Sequence, residues 1–310
     1  MDTIAVVMEA PERLVLSRLD LPAPKADELV VEIEWSGIST GTERLLWSGR
    51  MPHFPGMGYP LVPGYEAVGR VAATGSAATV AVGARVFVPG AKCYGAVRGL
   101  FGAASARLVV AESRVVPVGD DLGEAGVLLA LAATAHHAVA GGELPDLIVG
   151  HGVLGRLLAR LTLLAGGDPV VWECHAQRRR DGTGYRIVDP AQDSRRDYRS
   201  IYDVSGDPTV LDNLIAHAGH GAEIVLAGFY AEPLRFAFPP AFLREVRLRV
   251  AAEWREPDLS AVKRLLASGD LSLAGLVTHR EPARRADAAY RTAFADPACL
   301  KMVLDWRASA

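Results

Sequence analysis

An α/β protein in two parts, a doubly wound parallel sheet and a β-rich domain, is the fold class this sequence predicts, and three observations predict it. An apolar strand, Leu147-Ile-Val149, runs directly into Gly150-His-Gly152-Val153-Leu154-Gly155 and on into a helix-patterned run. Strand and helix patterns then alternate through the middle of the chain. Up to about residue 118, by contrast, short apolar or alternating runs follow one another, divided by Pro, Gly and Asp.

In chain order, residues 4–8, 14–19, 29–35, 67–73 and 84–88 read as strands of the β-rich part. Residues 122–140 form an Ala/Leu-rich helix, 147–149 a strand and 154–165 a helix. Strands follow at 170–172, 186–188 and 200–204, a helix at 208–217, and strands at 223–227 and 246–251. After Pro257 a helix at 260–267 precedes a strand-helix-strand tail ending in Lys301-Met-Val-Leu-Asp-Trp306.

The glycine-rich segment carries the first functional signal. A strand, G-x-G-x-x-G and a helix in that order make a dinucleotide-binding turn. Gly150 permits the tight turn, Gly152 lets backbone approach a pyrophosphate, Gly155 lets the helix pack on the strand, and Val153 and Leu154 open the helix whose N-terminus meets the phosphates. A second strand ends in Glu173, which lies 173 − 150 = 23 residues after the first glycine, near the ~20 expected for a carboxylate on the adenosine ribose. A carboxylate there accepts from a free 2′-hydroxyl and repels a 2′-phosphate, so NAD is the expected cofactor. Arg178-Arg179-Arg180 stands against this if its loop folds back on a phosphate; the plainer reading is a solvated loop entering the turn Asp181-Gly-Thr-Gly184.

With 310 residues, 50% hydrophobic and 22% charged, the chain is long enough for two well-filled cores, and a net charge of −3 gives no electrostatic case for nucleic acid. Cys93, Cys174 and Cys299 are too few and too scattered for a disulfide framework or a four-cysteine zinc lobe, which fits a reducing cytoplasm. Neither a signal peptide nor an apolar run of membrane-spanning length is read, so the expected setting is cytoplasmic, or peripheral to a membrane.

These features resemble the medium-chain dehydrogenase/reductase superfamily over nearly the whole chain. The segments that carry the resemblance are Ser36-Gly-Ile-Ser39-Thr40-Gly-Thr42-Glu43, Val62-Pro-Gly-Tyr65-Glu66-Ala-Val-Gly69, the glycine turn, and Leu265-Leu-Ala-Ser-Gly269 with the later Leu300-Lys-Met-Val-Leu304. The resemblance implies a GroES-like catalytic domain over 1–120 and 256–310 and a Rossmann domain over 121–255. It also implies a homodimer formed through the last sheet strand. In that superfamily the first two segments and a third position supply zinc ligands. Here those positions hold Ser39, Tyr65 and Ala130, so no catalytic zinc is expected.

Oxidation of an alcohol without a metal needs a group that removes the hydroxyl proton and supports the developing alkoxide. Tyr65, at a former ligand position, is the first candidate, with Ser39, Thr40 and Thr42 as a hydroxyl relay. Glu66 retains the family acid. His137 is an alternative base, because an imidazole suits proton transfer at neutral pH. Thr134 matches the family threonine near the nicotinamide and is a cofactor-positioning candidate. The plainer readings are a core tyrosine at Tyr65 and packing histidines at His136 and His137.

The segment 44–60 concentrates Trp47, Met51, Phe54, Met57 and Tyr59 among glycines and prolines. A loop of this kind suits a large flat ligand, with Arg44 or Arg50 for a carboxylate. The alternative is a loop whose side chains tuck onto their own domain. Together with the motifs that flank it, this segment is similar to the bacteriochlorophyllide dehydrogenase family within the superfamily. That likeness implies a small-molecule pigment substrate, whose hydroxyethyl side chain is oxidised to acetyl while NAD accepts hydride. Two other functions stay open in the sequence: a zinc-free quinone or enone reductase using NADPH, and a non-catalytic nucleotide or pigment carrier.

Overall fold

The computed structural model describes residues 1–180 and 182–308; Asp181, at the head of the turn expected after the arginine run, lies outside them. The chain divides into two units, Met1–Leu129 with Ala274–Ala310, and Ala130–Leu273. The sequence had suggested divisions at 120/121 and 255/256. Residues 126–128 belong with the first unit because they are buried, Gly126 lying against Val68 of that unit.

The first unit begins with a hairpin of β1 (Asp2–Ala10) and β2 (Arg13–Asp20), followed by β3 (Glu28–Ile38) and a short helix, α1 (Thr42–Ser48). Strands β4 (Leu61–Pro63), β5 (Ala67–Thr74), β6 (Arg85–Val88), β7 (Arg98–Leu100), β8 (Arg107–Ala111) and β9 (Val116–Pro117) complete its N-terminal stretch. Helix α1 replaces the beginning of the expected loop over 44–60. It stops where Gly49 takes a left-handed φ of 71° and its N–H caps the carbonyls of Leu45 and Leu46.

Residues 122–140 do not form the single expected helix. Asp120–Leu128 is a 3-10 segment interrupted at Gly123 (φ 49°, ψ −138°), and the α-helix proper is α2 (Leu129–Val139). By length and composition Asp120–Val139 would suffice to cross a membrane. Its apolar side chains are instead core, with Val127, Leu128, Leu129, Ala132, Ala133 and Ala135 fully buried.

The second unit alternates strand and helix: β10 (Leu147–Val149), α3 (Val153–Leu164), β11 (Val170–Trp172), β12 (Arg186–Val188), β13 (Tyr198–Asp203), α4 (Leu211–His217), β14 (Ala218–Leu226), α5 (Phe238–Leu243), β15 (Arg247–Val250) and α6 (Glu256–Ala267). All its strands are parallel, in the order β12-β11-β10-β13-β14-β15. That order reverses direction between β10 and β13, and in such sheets ligands bind beyond the strand ends at the reversal. The helix expected at 260–267 starts earlier and takes in Pro257, since proline is tolerated in a first helical turn and Asp258 caps the N–H of Arg255. Helix α4 begins later than residue 208, leaving Pro208 in the preceding turn.

The chain then returns to the first unit as β16 (His279–Pro282), α7 (Ala286–Ala295) and β17 (Met302–Asp305). Strand β17 pairs antiparallel with β3, Met302 opposite Ile38 and Leu304 opposite Ser36. This brings the C-terminal stretch against the Ser36–Glu43 motif. One apolar cluster, from Val6 and Leu29 to Tyr290 and Trp306, forms the core of this unit.

Candidate active site

In the second unit, β10 leads into Gly150, whose φ of +105° is open to glycine at little cost. Its carbonyl lies 1.9 Å from where a Cβ on Gly155 would stand, so helix and strand approach through a gap only hydrogen fills. A Cβ on Gly152 would meet nothing within 4 Å, and Gly152 is the N-cap of α3. Open space before a helix N-terminus with uncapped N–H groups suits a pyrophosphate. Val153 is buried and Leu154 is half-buried in the first turn of α3.

Glu173 follows β11 and reaches back to this turn, its carboxylate accepting from the N–H of His151 at 3.2 Å and of His175 at 2.8 Å. Two bonds leave acceptor capacity on a carboxylate for a pair of ribose hydroxyls. The residues of this turn therefore fit a dinucleotide. Of the arginine run, Arg179 binds the carbonyls of Glu173 and Cys174 and the Asp189 carboxylate, tying down its own loop.

Several residues of this unit escaped the sequence reading. His151 is fully buried, with Nδ1 2.6 Å from the Arg178 carbonyl and Nε2 2.8 Å from the Tyr185 hydroxyl. Asp203, at the end of β13, accepts from the Tyr230 hydroxyl at 2.6 Å and the Ser205 N–H at 2.9 Å. Burial raises the Asp203 carboxyl above its usual range while those bonds oppose the rise. An acid ending an apolar strand at the sheet reversal was the available signal. Thr134 donates to the Ala130 carbonyl one helical turn back, at 2.9 Å. His137 and His136 each place Nδ1 2.9 Å from one oxygen of Asp258, joining α2 to the start of α6.

The first unit brings together Ser39, Thr42, Tyr65 and Glu66. Ser39 Oγ lies 2.7 Å from the Tyr65 hydroxyl, and Thr42 also hydrogen-bonds that phenol. The hydroxyls thus meet each other where the superfamily's first two ligand segments converge. Burial pushes the Tyr65 phenol far above the ordinary tyrosine range; the Glu66 charge adds to this, and the hydrogen bonds with Ser39 and Thr42 oppose it. A phenol so held stays protonated at any working pH, which makes it a hydrogen-bond donor rather than a standing base. Thr40 is half-buried.

Glu66 is fully buried and paired with Lys301, Nζ to Oε2 at 2.6 Å, while Lys301 also donates to the Ile38 carbonyl at 3.2 Å. Its other oxygen, Oε1, has no hydrogen-bond partner among the described residues. Glu43, quoted in the motif but given no role, is buried too, accepting from the Ser39 N–H at 3.0 Å and the Tyr290 hydroxyl at 2.6 Å. Burial lifts its carboxyl to about 7, against the bonds from Tyr290 and Ser39. A lysine at 301 inside an apolar run was a visible signal that some buried partner existed; Glu43, between Thr42 and Arg44, gave no such signal.

The aromatic segment packs on its own unit. Trp47, Phe54 and Tyr59 are half-buried against the core; Trp47 meets Phe294 at 5.6 Å between centroids, and the Tyr59 hydroxyl donates to the Leu46 carbonyl. Arg44 and Arg50 are exposed. Among the described residues no cluster of three or more His, Cys, Asp or Glu has the makings of a metal site.

Residues 25–120 match the family model described as the alcohol dehydrogenase GroES-like domain. Over the full length of both chains the sequence is 58% identical to a 2-desacetyl-2-hydroxyethyl bacteriochlorophyllide A dehydrogenase of Cereibacter sphaeroides. It is 56% identical, over 99% of each chain, to the protein of the same description in Rhodobacter capsulatus. Among solved structures, an alcohol dehydrogenase from Escherichia coli in complex with NADH superimposes with a TM-score of 0.82 at 20% identity, covering 98% of this chain and 99% of the other.

Proposed function

The chain belongs to the 2-desacetyl-2-hydroxyethyl bacteriochlorophyllide A dehydrogenase family, within the medium-chain dehydrogenases, and from that premise we propose that it oxidises the 3-(1-hydroxyethyl) group of a bacteriochlorophyllide to 3-acetyl, with NAD as cofactor and without zinc. The observation that carries the reading is the full-length likeness to two relatives of that description. The site agrees with it chemically. Where zinc ligands would stand, Ser39 and Tyr65 offer two hydroxyls in mutual contact, able to donate to a developing alkoxide and to pass on its proton. NAD, when bound, supplies the hydride acceptor; Gly150, Gly152 and Gly155 make room for it and Glu173 favours a free 2′-hydroxyl.

The test is oxidation of a hydroxyethyl bacteriochlorophyllide with NAD or NADP by the purified protein, alongside its metal content and Tyr65→Phe. Turnover with NAD and without stoichiometric zinc is expected. Tyr65→Phe should lower kcat and kcat/KM together by about 10²- to 10³-fold, as for an interaction made mainly in the transition state. Zinc-dependent turnover, or near-native turnover in Tyr65→Phe, contradicts the reading.

The same reading includes a homodimer. Strand β15 is a sheet edge carrying exposed Leu248 and Val250, and the preceding α5 exposes Phe238, Phe242 and Leu243. Unpaired edges with apolar surface invite pairing with a second copy. Light scattering should give a dimer for the native chain and a monomer for Val250→Asp; a native monomer rules the dimer out.

A further inference from the structure

We propose that Glu43 is a positioning residue for the Ser39–Tyr65 hydroxyl pair, and that its ionisation controls how well the pair supports an alkoxide. The proposal rests on reading those two hydroxyls as the reacting site. Its geometry is a chain of contacts drawn from distant parts of the sequence. The Tyr290 hydroxyl on α7 braces Glu43 Oε2 at 2.6 Å, Glu43 Oε1 holds the Ser39 N–H at 3.0 Å, and Ser39 Oγ touches the Tyr65 hydroxyl at 2.7 Å. Tyr290 is fully buried and Glu43 nearly so, so neither has solvent to fall back on.

The charges around Glu43 set the direction of the effect. Glu66 and Lys301 act on it from beyond β4 and from the start of β17, and the Tyr65 and Tyr290 phenols remain neutral. With Glu43 protonated, Glu66 and Lys301 balance each other. With Glu43 ionised, one negative charge is left uncompensated and acts on the phenol, raising the cost of removing its proton. Negative charge developing on the substrate oxygen meets the same field, so ionisation of Glu43 slows oxidation. The carboxyl sits at about 7, which puts this change inside the working pH range.

The experiment is the pH profile of kcat/KM for alcohol oxidation by the NAD-loaded enzyme, in the native chain, Glu43→Gln, Tyr290→Phe and Tyr65→Phe. It is paired with infrared detection of a buried neutral carboxylic acid. The native profile should fall through neutrality as a single ionisation and level off at the lower rate of the form with Glu43 ionised. Glu43→Gln should abolish that limb and the infrared band. Tyr290→Phe, which removes a hydrogen bond that favours the carboxylate, should move both to higher pH.

Glu43→Gln with the native limb intact overturns the proposal. If that variant does not fold, Tyr290→Phe decides, an upward shift supporting the proposal and an unmoved limb overturning it. Tyr65→Phe at native turnover would bring down the underlying site as well. A crippled Tyr65→Phe beside an unmoved limb would sink the role of Glu43 alone.

Discussion

Around Gly150, the hydrogen bonds that shape the dinucleotide turn join residues near in sequence, 22 apart from His151 to Glu173 and 34 from His151 to Tyr185. Around Tyr65, the contacts that shape the other polar group span 247 residues from Glu43 to Tyr290 and 235 from Glu66 to Lys301. The first is made mostly of backbone and of missing side chains. The second is made of long side chains converging in an apolar core. A backbone site tolerates almost no added atoms, whereas a buried ionisable cluster tolerates a change of shape better than a change of charge.

Glycine replacements in the turn break the comparison most severely. Gly155→Ala places a methyl 1.9 Å from the Gly150 carbonyl, where only movement of helix or strand relieves the overlap. We expect a loss of about 3 kcal/mol or more, in the range of severe core overpacking, together with loss of measurable NAD binding. Gly152→Ala meets open space. It should leave thermal stability nearly unchanged, within about 0.5 kcal/mol, yet weaken NAD, because the added methyl occupies room the pyrophosphate needs. Equal effects of the two alanines on melting would contradict this division of roles.

The cluster should reveal itself through pH. Glu43 titrates at about 7 in the folded chain against an ordinary value of 4.5, so the folded state binds this proton more tightly than the unfolded one. Its stabilising contribution is full below pH 4.5 and is lost as pH rises to about 7, an effect on the order of 3 kcal/mol. Glu43→Gln keeps an acceptor for Ser39 and has no charge to bury. The melting temperature of the variant relative to the native chain should therefore climb from pH 4.5 to 7 and then level off. A difference that stays constant over that range would mean Glu43 does not titrate there.

The contrast also accounts for what the sequence made legible. The glycine spacing, the strand before it and the acid after it follow from local rules, and the strand-helix alternation from residue 147 follows from hydrophobic period. Helix α1 was hidden because its seven residues, closed by Gly49, give too short a period to read among loop-like neighbours. The break at Gly123 was hidden because one glycine at the start of an Ala/Leu-rich run does not interrupt the apolar pattern that follows it. Motif order put Ser39 and Tyr65 forward as candidates and Glu43 stood in the same motif, but the buried partners Tyr290, on Glu43, and Lys301, on Glu66, depend on the pairing of β17 with β3 and on the seating of α7. No local rule supplies that register.

The smallest expected effect concerns Glu173, where the two building plans meet: a charged side chain serving a backbone turn. Its carboxylate is buried and accepts from two N–H groups of the turn and loop. Glu173→Gln keeps size and one acceptor but removes the charge that opposes a 2′-phosphate. NAD affinity should fall by about tenfold or less, as for one modified hydrogen bond, while NADP affinity should hold or rise, so that the ratio of the two narrows. Isothermal titration with each nucleotide reads this without any pigment substrate. If both affinities fell equally, Glu173 would be bracing the loop through His151 and His175 and not selecting the ribose.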